Sequence, residues 1–369
     1  MVPSATMQRA AHVTPRDVHV LVPHFKRRLS GVTATVVQLV PEQARRLAER
    51  GMGLATLGPG LPDEFPRVSP WSPALWRRPR NARRRVWHAR RNVEMLPGIV
   101  LRDVLRMPLA LMFTSAAQRE HSAYTRWLIR RMDRVVATSA RSQRYLHVPS
   151  TVVTHGIDCE RFRPATDRAT LRRELGLLPG RRYVGCFGRI RESKGTDLFV
   201  DAMIALLPGR PDWTALVTGR TTGEHAAFER SLRERIERAG LTHRIVLLGE
   251  VPAIHRWYAA LDLYVAPQRW EGFGMTVLEA MASGVPVVAT DVGAFPDLIV
   301  PEVGTVVLRE DVAALAGAAE AFMDEPGRLE GAASAARTHV ATHHALAAEA
   351  EALCAIYAET ADFASSFEG

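Results

Sequence analysis

The amino-acid sequence predicts an α/β protein with two domains, each built on a parallel sheet covered by helices. Apolar runs rich in β-branched residues alternate with stretches of helical periodicity along most of the chain, which is typical of doubly wound sheets. The length of 369 residues is about twice that of a typical domain. A polar, proline-containing connection ends near Pro164. We therefore expect domains at 1–164 and 165–344, with residues 345–369 forming a C-terminal helix.

The elements of the first domain follow from its apolar runs. We predict a buried strand at 17–25, a helix at 32–51 that a glycine closes, a strand passing into a helix at 133–146, and another strand at 151–158. The pattern places the first helix directly after the first strand, as in a doubly wound domain.

The second domain repeats strand and helix in alternation. The predicted strands have the sequences YVGCFGRI, TALVTGR, HRIVLLGEV, LYVAPQ, PVVAT and GTVVL, and the predicted helices have the sequences GTDLFVDAMIALL, EHAAFERSLRERIERAG, IHRWYAALD and DVAALAGAAEAFM. This order indicates a nearly complete doubly wound domain. The closing helix, roughly 345–360, lies beyond that sheet, and its position is compatible with a return to the first domain.

The composition argues against several classes of protein. Cys159, Cys186 and Cys354 are widely separated and match no disulfide framework or zinc-ligand spacing, which indicates a reducing compartment. The N-terminal segment lacks the apolar core of a signal peptide, and no stretch approaches ~18 uninterrupted apolar residues. We therefore expect a soluble or peripheral protein.

Positive charge is concentrated in the first domain. Through residue 165 the chain has 28 Lys and Arg against 11 Asp and Glu, and the remainder has 20 against 28. The densest basic segment is 77–85, RRPRNARRR, and another lies at 126–134. Such segments are either solvated faces or contacts to an anionic membrane surface or acceptor, at about 1 kcal/mol per basic residue. No RNA-binding motif or zinc-finger spacing favours nucleic acid.

The segment GRIRESKG, 188–195, follows a predicted strand and precedes a predicted helix, at the sheet edge where such folds bind ligands. It brings Arg189 and Lys194 to one place. A planar guanidinium together with a mobile ammonium suits a diphosphate. Of the 48 basic residues only Lys26 and Lys194 are lysine, so a lysine in this loop is unusual. A solvated basic loop is the alternative.

The segment EGFGMTVLE, 271–279, occupies the same kind of position after the strand LYVAPQ. Gly272 and Gly274 allow a tight turn, and the first amides of the following helix can bind a phosphate. Glu271 can then accept hydrogen bonds from sugar hydroxyls, and the carboxylate of Glu279, which leans back along the helix, can accept two from a ribose. The candidate contacts of this segment also include Phe273, Met275 and Thr276. The alternatives are an ordinary helix-start charge for Glu271 and an exposed helix residue for Glu279.

With these motifs, the second domain resembles the GT-B glycosyltransferases of the large GT4 family. The two glutamates that the family separates by seven residues match Glu271 and Glu279, its Arg and Lys pair matches Arg189 and Lys194, and ASGVPVVATDVG also fits. In the first domain, LSGVTAT, RRNVEMLPGIVLRDVLRMPL, FTSAAQREHSAYTRWLIRRMD and THGID resemble the alphaproteobacterial lipopolysaccharide core mannosyltransferases. The likeness covers roughly residues 17–360.

The resemblance implies two Rossmann-like domains facing across a cleft, the first binding the acceptor and the second the nucleotide-sugar. It implies a retaining transfer of mannose from GDP-mannose to an inner-core sugar, Kdo on a lipid A precursor, at the inner face of the cytoplasmic membrane. It further implies a diphosphate contact at Gly31 and catalytic roles for Glu271 and His121.

Two features bear on the donor and on competing functions. The sequence has no Asp-x-Asp pair, so we expect no metal, with Arg189, Lys194 and helix-end amides supplying positive charge. Gly249, Glu250 and Val251 follow a predicted strand and are expected to line the base, whose identity they leave open. A transferase using UDP-glucose is one alternative. A non-catalytic nucleic-acid- or membrane-binding protein would explain the basic first domain but not the glutamates.

Overall fold

The computed structural model describes residues 14–26, 31–59 and 61–363. The chain divides into two compact units: unit 1 combines residues up to His155 with those from Leu346 onward, and unit 2 is Gly156–Ala345. The boundary predicted near residue 164 therefore lies too late in the chain. Residues 156–164 lie in unit 2, where the ring of Phe162 is buried against the rings of Tyr258 and His255.

Strands and helices alternate through the described residues. The strands are β1 (Val18–Pro23), β2 (Gly53–Leu57), β3 (Arg85–Ala89), β4 (Leu109–Ser115), β5 (Arg134–Ala137), β6 (Thr151–Val152), β7 (Arg182–Phe187), β8 (Trp213–Thr218), β9 (Ile245–Gly249), β10 (Leu263–Ala266), β11 (Val287–Thr290) and β12 (Gly304–Val307). The α-helices are α1 (Gly31–Glu49), α2 (Asn92–Ile99), α3 (Ala123–Ile129), α4 (Ala140–Gln143), α5 (Arg168–Glu174), α6 (Thr196–Leu206), α7 (Ala226–Arg238), α8 (Ile254–Ala259), α9 (Met275–Ala282), α10 (Phe295–Leu298), α11 (Val312–Asp324), α12 (Pro326–His343) and α13 (Leu346–Ala361).

Each unit contains one six-stranded parallel sheet. The order is β2-β1-β3-β4-β5-β6 in unit 1 and β12-β11-β10-β7-β8-β9 in unit 2. The strand order therefore reverses between β1 and β3 in the first sheet and between β7 and β10 in the second. Open parallel sheets bind ligands beyond the carboxyl ends of their strands at such reversals.

The last helix, α13, completes the core of unit 1. Its apolar residues are buried with those of α1 and of the central strands. The hydroxyl of Tyr357 accepts a hydrogen bond from Gln43 Nε2 at 3.0 Å and lies 2.6 Å from Nδ1 of His88, whose Nε2 is 2.7 Å from Thr114 Oγ1. These hydrogen bonds connect α1, β3, β4 and α13 inside unit 1 and fix the register of the closing helix.

Four strands of unit 1 differ from the predictions. The strand predicted at 151–158 ends at Val152, because only two residues pair with β5 before the chain leaves the sheet. The other three, β2, β3 and β4, were not predicted. The segment of β2, GLATL, follows α1 after a three-residue turn, and β3 begins within the basic segment.

Arg85 corrects the prediction that the whole basic segment faces solvent. Its side chain is 0% exposed, and its guanidinium donates to the carbonyl oxygens of Val18 at 2.6 Å, Pro15 at 2.9 Å, Arg77 at 3.1 Å and Leu75. Loss of water lowers the pKa of Arg85 to about 10, so it stays charged at neutral pH. The residue holds loops together and is not part of a binding surface.

Among the described residues, none of the helices has both the length and the apolar character that crossing a bilayer requires.

Candidate functional site

The loop after β7 carries the predicted cationic pair. From Phe187 the chain passes through Arg189 into a 3-10 turn at Glu192–Lys194, and Gly195 precedes α6. Gly195 has a φ of 67°, and a Cβ at this position would collide with the carbonyl of Pro267. Glycine thus allows the loop after β7 to contact the loop after β10 directly.

This contact brings together Lys194 and Glu271, which belong to two separate sequence motifs. Lys194 Nζ donates to Glu271 Oε2 at 2.5 Å, and Glu271 Oε1 accepts from the backbone amide of Gly272 at 2.9 Å. The two side chains are only 18% and 17% exposed. The pair lies where the strand order of the unit 2 sheet reverses, between β7 and β10.

A second ion pair, not predicted, braces the same two loops. The two terminal guanidinium nitrogens of Arg269 donate to Asp197, at 2.7 and 2.8 Å. One of them also donates to the carbonyl of Glu192 at 2.7 Å. The amides of Arg269 and Trp270 donate to the carbonyl of Ser193. The partners are 72 residues apart, so no local spacing could have indicated the pair. It holds Lys194 in place without contacting it.

Arg189, in contrast, is exposed, and none of the described carboxylates forms an ion pair with it. Its guanidinium is therefore available to a ligand in the loop that also carries Lys194. A planar guanidinium in this state can form two parallel hydrogen bonds to a phosphate.

The glycine turn leads into the start of α9. Gly274 has a φ of 124°, and a Cβ there would collide with the ring of Phe295, so this position requires glycine. Met275 and Thr276 are the first residues of the helix, where backbone amides have no acceptor within the helix itself. These amides and the positive end of the helix dipole can bind an anion.

The side chain of Phe273 is buried, and its carbonyl accepts a hydrogen bond from the amide of Ala294 at 3.0 Å. A Cβ at Gly293 would lie 3.1 Å from the Cβ of Glu271. The buried side chain of Phe273 therefore anchors the turn in the core of unit 2. The loop after β11 lies against the side chain of Glu271.

Glu279 lies one turn into α9 and is partly exposed. Loss of water around its carboxyl raises the pKa of Glu279 to about 7, although the Tyr258 hydroxyl and the charge of Arg161 act to lower it. The aromatic rings of Tyr258 and Tyr264 pack together beside it. At neutral pH the carboxyl is therefore divided between its protonated and ionised forms.

The predicted base-lining residues lie at the same sheet edge. Gly249 accepts a hydrogen bond at its carbonyl from the amide of Gly219 at 2.8 Å, and a Cβ at Gly219 would collide with the carbonyl of Gly188. The loops after β7, β8 and β9 thus run side by side. Glu250 is exposed and Val251 is partly exposed, so both are accessible to a ligand.

In unit 1, Gly31 is the first residue of α1. It is exposed, its carbonyl accepts a hydrogen bond from Thr35 Oγ1 at 2.8 Å, and a Cβ would meet no atom of the described residues within 4 Å. The local backbone does not require glycine here.

His121 lies between β4 and α3, also at the carboxyl edge of its sheet. Its Nε2 is buried and has no hydrogen-bond partner among the described residues, while its carbonyl accepts from Arg126 at 2.6 Å. Burial, with smaller effects from Arg119, His147 and Arg126, lowers the pKa of His121, so the ring is neutral at pH 7. β3 separates the strands that precede Gly31 and His121.

Two arginines follow β3 at this edge and were not predicted. Arg91 forms an ion pair with Glu94 at 3.2 Å and donates to Thr33 of α1 at 3.4 Å. Both terminal nitrogens of Arg90 are buried without a hydrogen-bond partner among the described residues. The one available signal was an RRN segment directly after an apolar strand.

Within 14–26, 31–59 and 61–363, no three His, Cys, Asp or Glu side chains are grouped in a way that could hold a metal ion.

Comparisons with known proteins agree on one family. The sequence profile described as "Glycosyl transferases group 1" matches residues 181–325. The chain is 55% identical to the lipopolysaccharide core biosynthesis mannosyltransferase LpsB of Rhizobium meliloti (strain 1021), over 93% of this chain and 97% of that protein. It is 54% identical to the corresponding mannosyltransferase LpcC of Rhizobium leguminosarum bv. viciae, over 93% and 96%.

A solved structure supports the fold. The structure of Anabaena Alr3699/HepE with UDP and glucose superposes with a TM-score of 0.75, at 18% identity, over 92% of this chain and 99% of that chain. At this identity the likeness concerns the fold alone. The predicted GT-B fold is confirmed.

Proposed function

Because this chain belongs to the group 1 glycosyl transferases, together with the lipopolysaccharide core mannosyltransferases that it matches over nearly their whole length, we propose that it transfers mannose from GDP-mannose to an inner-core sugar of a lipopolysaccharide precursor. The proposed acceptor sugar is Kdo on lipid A. The observation that carries the proposal is the meeting of Lys194 and Glu271 beside the unpaired guanidinium of Arg189, at the strand reversal of unit 2.

In the proposed reaction, the bond between the anomeric carbon of mannose and the β-phosphate oxygen breaks, and a bond to the acceptor oxygen forms on the same face of the sugar. The acceptor hydroxyl gives its proton to the departing GDP. Arg189, the ammonium of Lys194 and the first amides of α9 stabilise the negative charge that develops on the diphosphate. This charge stabilisation needs no divalent metal.

Glu271 serves as the acceptor of hydrogen bonds from the mannose hydroxyls. Its carboxylate is already oriented by Lys194 and by the amide of Gly272, so little reorganisation is required when the sugar binds. Lys194 has three N–H donors and can therefore bind a phosphate oxygen while it keeps Glu271. The carboxylate of Glu279 accepts hydrogen bonds from the two vicinal ribose hydroxyls of the nucleotide.

The test is turnover of GDP-mannose against UDP-glucose, with a Kdo-bearing lipid A acceptor and a chelator present. We expect mannose transfer that the chelator leaves unchanged and that falls roughly 100-fold in Glu271→Gln. Glu320→Gln, which alters an exposed carboxylate on α11, is the control and should leave turnover unchanged. A preference for UDP-glucose would contradict the donor, and a rate that depends on added magnesium or manganese would contradict metal independence.

We further propose that unit 1 binds the anionic inner surface of the cytoplasmic membrane. Its arginine surface consists of Arg77, Arg78, Arg80, Arg83 and Arg84, all in the loop before β3. Neutralising these five residues should weaken binding to vesicles that contain anionic lipids and leave GDP-mannose affinity unchanged. Unaltered vesicle binding in a cosedimentation assay would rule this surface out.

A further inference from the structure

An apolar groove of about 1030 Å³ crosses one face of unit 1. Its volume is that of a typical small-molecule site, although none of the motifs in the sequence pointed to it. The lining is made of aliphatic and aromatic side chains with one arginine at the end. The lining residues are Phe25, Leu57, Gly58, Pro70, Trp71, Pro73, Trp76, Arg77, Trp87, Leu96, Pro97, Val100, Leu101 and Met107.

The walls of this groove are held by hydrogen bonds that use the polar ends of its tryptophans. Nε1 of Trp76 donates to the carbonyl of Pro70 at 2.7 Å, and Nε1 of Trp87 donates to the carbonyl of Glu94 at 2.8 Å. A Cβ at Gly98 would lie 2.8 Å from the ring of Trp87, so glycine lets α2 pack directly on that ring. The indole rings therefore present fixed apolar faces.

The buried Arg85 fixes the remaining wall. Its guanidinium donates to the carbonyls of Leu75 and Arg77, which belong to the loop that carries Trp76 and Arg77 into the groove. A buried guanidinium that donates hydrogen bonds to the carbonyls of a loop holds that loop rigidly. The groove is thus formed before any ligand arrives, which reduces the entropic cost of binding.

Among the described residues, large apolar side chains are exposed mainly in unit 1, and four of them, Phe25, Trp71, Leu96 and Val100, line the groove. Of 13 exposed large apolar side chains, 10 belong to unit 1, and Trp71 at the groove rim is 89% exposed. Val93, Leu96, Val100 and Val104 follow one another at spacings of three and four, which places them on one face of α2 and the π-helical turn after it. Exposed apolar patches of this kind mark binding surfaces.

A cationic cavity adjoins the groove. It has a volume of about 690 Å³ and is lined by Arg77, Arg78, Arg83, Arg84, Arg106, Pro108 and Asp362. Arg77 lines both spaces, so the apolar groove ends where the arginines begin. Five guanidiniums against one carboxylate leave a strong net positive charge.

We propose that the groove binds the hydrocarbon chain of a single phosphate-bearing membrane lipid, while the adjoining arginine cavity binds its phosphate. An amphiphile with a negative head and an apolar chain matches the two spaces in charge, polarity and order. The inference goes beyond the proposed reaction, because lipid binding at this groove does not depend on sugar transfer.

The test uses dodecyl phosphate below its micelle concentration and the full-length protein without donor. Three of the seven tryptophans line the groove, so intrinsic fluorescence reports occupancy directly. We expect saturable binding that strengthens about fourfold for each methylene added to the chain. Val100→Asp should weaken binding at least tenfold, whereas Val152→Asp, an exposed valine on β6, should leave it unchanged.

Binding of the lipid phosphate by the arginine cavity is tested with a double variant, Arg77→Gln combined with Arg106→Gln. This variant should lose affinity for dodecyl phosphate but keep any affinity for dodecyl maltoside, which has the same chain and no charge. Unchanged unfolding midpoints and GDP-mannose affinity in all variants would show that the fold is intact.

Two results would overturn the proposal. If inorganic phosphate competes fully and chain length has no effect, the arginines form an anion site only. If the protein binds anionic vesicles but not monomeric dodecyl phosphate, the face contacts a membrane without taking up a lipid. Neither result would affect the proposed reaction, which is measured with the donor.

Discussion

At the scale of single residues, the ionisation of Glu279 links the donor site to pH. Its raised pKa of about 7 means that the carboxyl loses its proton as pH rises through neutrality. A ribose diol donates two hydrogen bonds, and the ionised carboxylate accepts them best. The protonated form must first release its proton, which weakens binding below pH 7.

We therefore predict that GDP-mannose affinity increases as pH rises from 6 to 8, by about tenfold. Glu279→Gln cannot titrate and should show a flat profile over the same range. Dissociation constants measured by calorimetry at several pH values test this. A wild-type profile as flat as that of the variant would mean that Glu279 does not contact the nucleotide.

The pairing of Lys194 with Glu271 makes a second prediction at this scale. Removing either partner leaves the other largely buried and without its counter-charge. Lys194→Met and Glu271→Gln should therefore each weaken donor binding, but the double variant should lose less than the two losses added, with a coupling of about 0.5–3 kcal/mol. The exposed pair Arg233 and Glu229 on α7, treated in the same way, should show neither effect. Strict additivity at Lys194 and Glu271 would contradict a functional pair.

At the scale of elements, one glycine determines whether two loops can meet. Gly195→Ala would force a Cβ against the carbonyl of Pro267 and separate the turn of Lys194 from the loop of Glu271. Gly180 has a similar φ, 72°, but a Cβ there would meet no atom of the described residues within 4 Å. Gly180→Ala therefore adds only the strain of the left-handed backbone, about 1–2 kcal/mol, and no collision. We expect Gly195→Ala to lower the urea midpoint further than Gly180→Ala and, unlike it, to weaken GDP-mannose binding. Equal effects would mean that the loop contact is dispensable.

The same elements explain what the sequence could predict. The six strands of unit 2 and five of its helices follow from periodicity because each is a contiguous run, whereas α5, α10 and α12 were not predicted. The motifs around Lys194 and Glu271 are likewise local. The ion pair of Asp197 and Arg269 joins positions 72 residues apart, so no local sequence pattern predicts it. The burial of Arg85 depends on four carbonyls supplied by two separate segments, 15–18 and 75–77. The raised pKa of Glu279 depends on burial of its carboxyl, which only the fold produces.

At the scale of the whole molecule, the two units differ in how many segments of the chain form them. Unit 2 is continuous, whereas unit 1 needs both ends, because α13 supplies Tyr357 and a set of apolar residues to its core. We predict that a fragment of residues 156–345 folds alone and binds GDP-mannose. A fragment of residues 1–155 should fail to fold until a peptide of residues 346–363 is added. Circular dichroism and cooperative urea unfolding test both statements, and a folded 1–155 fragment alone would contradict the second.

This arrangement sets the order in which the protein can mature on the ribosome. When residue 155 has been made, α1 and the central strands of unit 1 are complete but the helix that covers them is not. The 190 residues of unit 2 must be translated first, which takes about 10–40 s at ordinary elongation rates. The C-terminal unit can therefore finish folding before the N-terminal one. Meanwhile the uncovered apolar face of the first unit is a natural substrate for a chaperone.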